Sequence, residues 1–239
     1  MVKVYLTRTK DIEVPLNNRT MLANGLSADI LVSVHLNGHD DPAAGGTETF
    51  YRAGNDKGKK LAELLQAEML AEFKLRNRGV KTNNLHMTRE ARMPAALTEA
   101  AFLSNSAEAA LIKQKDFDER HGKAIAHGII KYIEWAKLTD PVVVLDPGHG
   151  GGKTGAVSAT GTIEKHSVLA ACMVAACILR ESKGEEPKTD PLKEAVDVLV
   201  KEGIISSPAY WTSNAVKGKT VNGEYVAAII IEAAKKLRR

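Results

Sequence analysis

The sequence predicts an α/β fold: a mainly parallel or mixed twisted sheet flanked by helices, with a small all-helical C-terminal unit. Three observations carry this expectation. Short β-branched runs alternate with segments of helical period along most of the chain. Two of those runs, Ile30–Leu36 and Val142–Leu145, are apolar almost throughout, as central strands covered on both faces are. A polar break carrying Pro187 then separates residues 1–182 from residues 191–239, and residues 183–190 read as a linker.

Taken in order, Val2–Arg8 reads as the first strand and a helix begins near Pro15. Ile30–Leu36 is a second strand, unbroken by an ionisable group until His35. Gly46–Tyr51 is a third. Asp56–Phe73 places Leu61, Leu64, Leu65 and Met69 at the 3.6-residue period of a surface helix. Leu85–Thr88 and Ala95–Glu99 read as short strands. Ser106–Lys137 holds two helices, the second with Ile125, Ile129, Ile130 and Ile133 along one side. Val142–Leu145 is a buried parallel strand running into a glycine-rich turn, and Lys165–Ser182 is a helix. Residues 191–239 read as two helices, Leu192–Lys201 and Glu224–Leu237, a unit small for independent folding.

Composition excludes several classes. Aromatic residues are 5% of the chain and no basic patch is interleaved with them, which argues against nucleic acid as a partner. The net charge of +4 is spread out; the cluster at Lys235, Lys236, Arg238 and Arg239 reads as a solvated helix end. Cys172 and Cys177 lie five residues apart, about 500° of helical rotation, too divergent to bridge, and read as small core residues. Met1–Arg8 has no apolar leader core, and no stretch has transmembrane length. The expectation is cytoplasmic synthesis without a signal peptide and no stable membrane insertion.

The glycine-rich turn, Leu145-Asp146-Pro147-Gly148-His149-Gly150-Gly151-Gly152-Lys153-Thr154, admits two readings. Its Gly-Lys-Thr ending resembles a phosphate-cradling P-loop. Against that, proline occupies the position of the motif's first glycine, and helical pattern resumes only near Glu164. In the second reading His149 is the point of the loop, presented at the C-terminal end of a central strand, where open α/β sheets place ligands. His35 ends the other buried strand, an unusual place for an ionisable group that binds nothing. Glu164 opens the helix after the loop. Two imidazoles and one carboxylate compose a three-ligand Zn2+ site with a fourth position open.

These segments resemble the zinc-dependent N-acetylmuramoyl-L-alanine amidases, the amidase 3 family. The matching pieces are Leu145–Gly151, Gly161–Lys165, Val4–Asp11, Arg19–Asn24, Ser33–Asn37, Gly46–Tyr51, Asn77–Lys81 and Met93–Asn105, nearly all of residues 1–182. Their order departs from the family. There, the segment with His149 opens the domain; here residues 1–137 come first and the opening βα unit, residues 141–182, follows. Circular permutation is the simplest account, since domain termini often lie close together.

The resemblance implies hydrolysis of the amide between N-acetylmuramic acid and L-alanine in bacterial peptidoglycan. It implies Zn2+ bound by His149, Glu164 and His35, with Glu99 as the catalytic carboxylate. Glu99 stands in an otherwise apolar run from Pro94 to Leu103, which sets it apart from an ordinary surface acid. Glu48 either orients a ligand histidine or faces water. Arg89 is either a partner for a peptide carboxylate or a solvated arginine, and His166 is a further residue to locate. Residues 191–239 resemble a helical module accompanying wall amidases, in which Tyr210 and Trp211 contact sugar, a dimer partner or their own core. The expected setting is a phage endolysin or an autolysin that reaches the wall after release. A wall-binding protein without catalysis is the alternative from another class.

Overall fold

A computed structural model describes residues 1–182. The linker, the C-terminal module and the dimer contact expected of it lie outside the described residues.

Six strands form one sheet: β1 (Lys3–Leu6), β2 (Ile30–Asn37), β3 (Thr47–Tyr51), β4 (Asn77–Thr82), β5 (Ala95–Phe102) and β6 (Val142–Pro147). Their spatial order is β1-β6-β2-β5-β3-β4. β6, the last strand in the sequence, is inserted between β1 and β2 and runs parallel to both, with Leu6 and Val32 flanking Leu145. β2 and β5 are also parallel, whereas β3 is antiparallel to β5 and parallel to β4. The sheet is therefore mixed, as the sequence predicts.

The helices are α1 (Leu16–Gly25), α2 (Asp56–Phe73), α3 (His86–Arg89), α4 (Ser106–Ile112), α5 (Phe117–Ala136) and α6 (Glu164–Glu181). Side chains alternate across a strand, and the two faces meet different partners. Ile30, Val32, Val34, Val143 and Leu145 join α2, α5 and α6 in the larger core. Leu31, Ala95 and Val144 point the other way, into a smaller cluster with Ala23, Met87 and Met93. On α5, Ile125, Ile129, Tyr132 and Ile133 are all buried; each large apolar side chain so placed stabilises the fold by roughly 1.5–3 kcal/mol.

The thinner face positions the site. Along β2, Leu31 belongs to the small cluster, so Ser33 and His35 face the same way by the two-residue period. The cover provided by α1 and α3 gives way to polar groups at the C-terminal ends of β2, β5 and β6.

Three local expectations change. Leu85–Thr88 is not a strand: His86–Arg89 forms a short helix, because four residues carry too little pattern to separate the two states. Asn77–Thr82 is the edge strand β4, whose polar composition hid it. Cys172 is buried as expected, but Cys177 is exposed, since five residues on a helix reverse the face. Among the described residues no helix is long and apolar enough to cross a membrane.

Candidate metal centre

His35, on the last turn of pleat in β2, and His149, in the loop after β6, converge on Glu164 at the first position of α6. Glu164 Oε1 lies 2.9 Å from His35 Nδ1 and 3.0 Å from His149 Nε2. The imidazoles meet edge to face, with centroids 4.9 Å apart. One donor atom from each residue falls within 4.8 Å of the others.

The backbone permits this approach at two glycines. A Cβ on Gly148 would sit 2.2 Å from His35 Cε1. A Cβ on Gly155, whose φ is +71°, would sit 2.3 Å from Glu164 Oε2. Substitution at either position would push side chain into the His35–His149–Glu164 cluster. The loop does not run into a phosphate-binding helix start: Gly150 N–H donates to Lys153 C=O at 2.9 Å, closing a tight turn. That geometry removes the P-loop reading.

Glu164 is held from both sides. Its Oε1 accepts from Leu36 N–H at 3.0 Å and its Oε2 from Ala156 N–H at 2.7 Å. Burial opposes its ionisation, yet hydrogen bonds from His149 and His35 hold the carboxyl below its usual range. For His35, burial works against the proton, but the Glu164 carboxylate beside it raises the pKa. The three groups thus attract positive charge into one place. Two imidazole nitrogens and a carboxylate suit Zn2+, whose sites combine N and O donors and leave a position open.

Glu99 lies beside this cluster. It pairs in register with His35 across β2 and β5. Its Oε2 is buried without a hydrogen-bond partner, and burial pushes its carboxyl up to about 8. A cleft of about 580 Å³ opens onto these groups, walled by Phe50, Leu85 and Leu97 and by the polar Asn37 and Asn83.

Other expectations are resolved by contacts. Glu48 lines the same cleft and is held by cations rather than by His35 or His149. It is buried and accepts from Asn37 Nδ2 at 2.6 Å, Arg78 Nε at 2.9 Å and Lys81 Nζ at 2.6 Å. Arg89 is the solvated arginine, paired with Glu90 at 2.6 Å and lining a different depression. His166 is exposed, with Nε2 3.5 Å from Asp11. Arg8, Arg19 and Asp146, buried beneath the His149 loop, were not singled out by the sequence pattern. A buried arginine reads in sequence like any surface arginine, and no spacing signal distinguishes it.

Residues 1–131 match the family described as N-acetylmuramoyl-L-alanine amidase. The chain is 34% identical over 131 residues to the N-acetylmuramoyl-L-alanine amidase LytC of Bacillus subtilis, covering 53% of this chain and 26% of that protein. It is 34% identical over 142 residues to an endolysin of Bacillus phage SPP1, covering 57% of this chain and 52% of the relative. Among solved structures, the catalytic domain of the amidase CwlV from Bacillus (Paenibacillus) polymyxa var. colistinus shares 36% identity with a TM-score of 0.53, covering 55% of this chain and 73% of that one. An amidase from Clostridium difficile 630 shares 37% identity with a TM-score of 0.51, covering 53% and 69%. The chain thus spans about a quarter to under two thirds of the length of the curated relatives it matches.

Proposed function

This chain belongs to the N-acetylmuramoyl-L-alanine amidase family, and on that premise we propose that it hydrolyses the amide joining N-acetylmuramic acid to L-alanine in bacterial peptidoglycan. The observation that carries the reading is the convergence of His35, His149 and Glu164 beside a buried, unpartnered Glu99 carboxyl oxygen.

His35, His149 and Glu164 would hold Zn2+. Bound there, the ion supplies Lewis acidity toward the scissile carbonyl and the attacking water. The chain's own residues do the rest. Glu99, outside the ligand set, takes a proton from the water and returns it to the departing nitrogen of L-alanine. Its apolar surroundings favour the protonated form needed for that return, and positive charge at the centre favours the ionised form needed to accept. Asn37 and Asn83 on the cleft wall offer hydrogen bonds to the sugar or stem peptide.

We further propose that residues 1–182 are the catalytic domain in circularly permuted order. Supporting this, the family match ends at residue 131, while His149 and Glu164 follow it. The end of α6 also lies against the start of β1, Arg180 Nη2 donating to Val4 C=O at 2.9 Å. The phage endolysin among the relatives supports release to the wall during lysis; an autolysin is the other member of the same reading. Residues 191–239 are proposed as an accessory module after the 183–190 linker.

The test is to digest purified peptidoglycan and sequence the newly exposed amino termini. New N-terminal L-alanine, abolished by a chelator and restored by zinc, is the expected result. Wall binding without release of alanine, from zinc-loaded folded protein, would replace the enzyme with a binding module.

A further inference from the structure

Three successive carbonyls, from the last residue of β6 into the loop that follows, are gripped by two buried guanidinium groups. Arg8 donates from Nε to Pro147 C=O at 3.0 Å and from Nη2 to Gly148 C=O at 2.8 Å. Arg19 donates from Nη1 to Pro147 C=O at 2.7 Å and from Nη2 to His149 C=O at 2.5 Å. The two side chains are 2% and 3% exposed. Among the described residues only Asp146 forms an ion pair with either, at 2.8 Å from Arg19, and it also accepts from Thr7 and Ser33 hydroxyls. Arg8 also donates to the carbonyls of Lys10 and Lys165, at 3.1 and 2.8 Å.

Carbonyls along an extended strand alternate in direction, so turning three in a row to one side requires the chain to coil. It does so at His149, whose φ is +61°. A residue with a side chain is disfavoured in this left-handed region and persists there where its surroundings over-determine it. The backbone conformation in turn sets the direction in which the imidazole leaves the chain. A simple structural ion pair would need Asp146 alone; the forked, planar geometry of two arginines is used here to read the loop's carbonyls.

We propose that Arg8 and Arg19 are positioning residues that lock the His149 backbone and thereby aim its imidazole at the metal centre, an inference resting on the metal reading above. Both come from residues 1–137, whereas the loop belongs to the following segment, so the clamp also joins the two parts of the domain across a non-covalent seam.

The test uses the full chain carrying Arg19→Lys, with Arg8→Lys as the second variant should the first not fold, and Ile129→Val as a core control that weakens stability without touching the loop. Three quantities are read: zinc affinity by competition with a chromophoric chelator, the visible spectrum of the cobalt-substituted protein, and amide exchange at Gly148 and Gly150. Lysine keeps the charge but loses the fork. The expected result is zinc affinity lower by about 10–100-fold, as for loss of groups that orient metal ligands, an altered cobalt spectrum, and faster exchange, none of which the control shows. Folded variants with wild-type affinity and exchange would overturn the proposal. Should the unsubstituted protein bind no zinc, the metal reading falls. Amide exchange then still decides whether the arginines hold the loop.

Discussion

Glu99 stands directly across from His35 in the parallel pairing of β5 with β2, so the proposed proton carrier and a proposed metal ligand are adjacent rungs of one sheet. Glu48 occupies the next rung, opposite Glu99 on β3. The three differ by their partners. His35 is tied to Glu164, Glu48 is neutralised by Arg78 and Lys81, and Glu99 Oε2 is left bare. The sheet thus presents one carboxyl whose proton is not committed elsewhere.

Replacing that carboxyl by an amide is expected to separate catalysis from metal binding. Glu99→Gln should lower the rate of alanine release by roughly 10²–10⁴-fold, the usual contribution of a positioned acid–base group, with zinc stoichiometry unchanged. Rate assays beside elemental analysis check this; an active Glu99→Gln protein would remove Glu99 from the reaction.

Removing the metal should loosen the domain as well as silence it. A ligand at 100 times its Kd stabilises the folded state by about 2.7 kcal/mol, so chelation should lower Tm measurably. His149→Ala should lie near the chelated protein's Tm and gain little from added zinc. Equal zinc-dependent shifts in His149→Ala and unsubstituted protein would place the ion elsewhere.

Acid stability should depend on a histidine far from the cleft. His121 on α5 is fully buried against Phe73 and Phe117, neither ring nitrogen has a partner, and burial lowers its pKa to about 4. The folded state therefore binds fewer protons than the unfolded chain between pH 6.5 and 4. Its contribution is present above about pH 6.5 and lost as pH falls toward 4, about 3 kcal/mol at about 1.4 per unit. In chelator, denaturant titrations across this window should give a shallower acid limb for His121→Leu. Parallel limbs would show that His121 is not the group responsible.

The permuted order has a direct test. A chain in which residues 141–182 precede residue 1, joined by a short linker, should bind zinc with the same stoichiometry and release alanine at a comparable rate, because Arg180 already lies against Val4. Loss of folding on reordering would count against permutation as the account of this chain.

Much of this arrangement was legible in the residues. The apolar runs that became β2 and β6 located the centre of the sheet, and the ionisable groups ending or following them located the cleft. Strand ends, glycines and family resemblance mark His35, His149 and Glu164, and the fold brings all three together. Asn77–Thr82 was illegible as a strand because an edge position imposes no apolar alternation. Arg8 and Arg19 were illegible because burial of a charge depends on carbonyls more than a hundred positions away in sequence. The solvated role of Arg89 and the partners of Glu48 likewise depend on neighbours brought in by folding.

The insertion of β6 between β1 and β2 bears on how the protein is made. A chain emerging from the ribosome has β1 and β2 early; β2 can pair with β5, but β1 cannot join the sheet until residues 142–147 arrive to lie between it and β2. Domains generally fold as units during synthesis, and this unit lacks one of its interior strands for most of that time. The proposed metal ligands meet later still, because Glu164 follows the strand. A nascent chain therefore lacks the assembled His35–His149–Glu164 cluster until nearly the whole of residues 1–182 has been translated, and the order of translation itself delays the proposed activity.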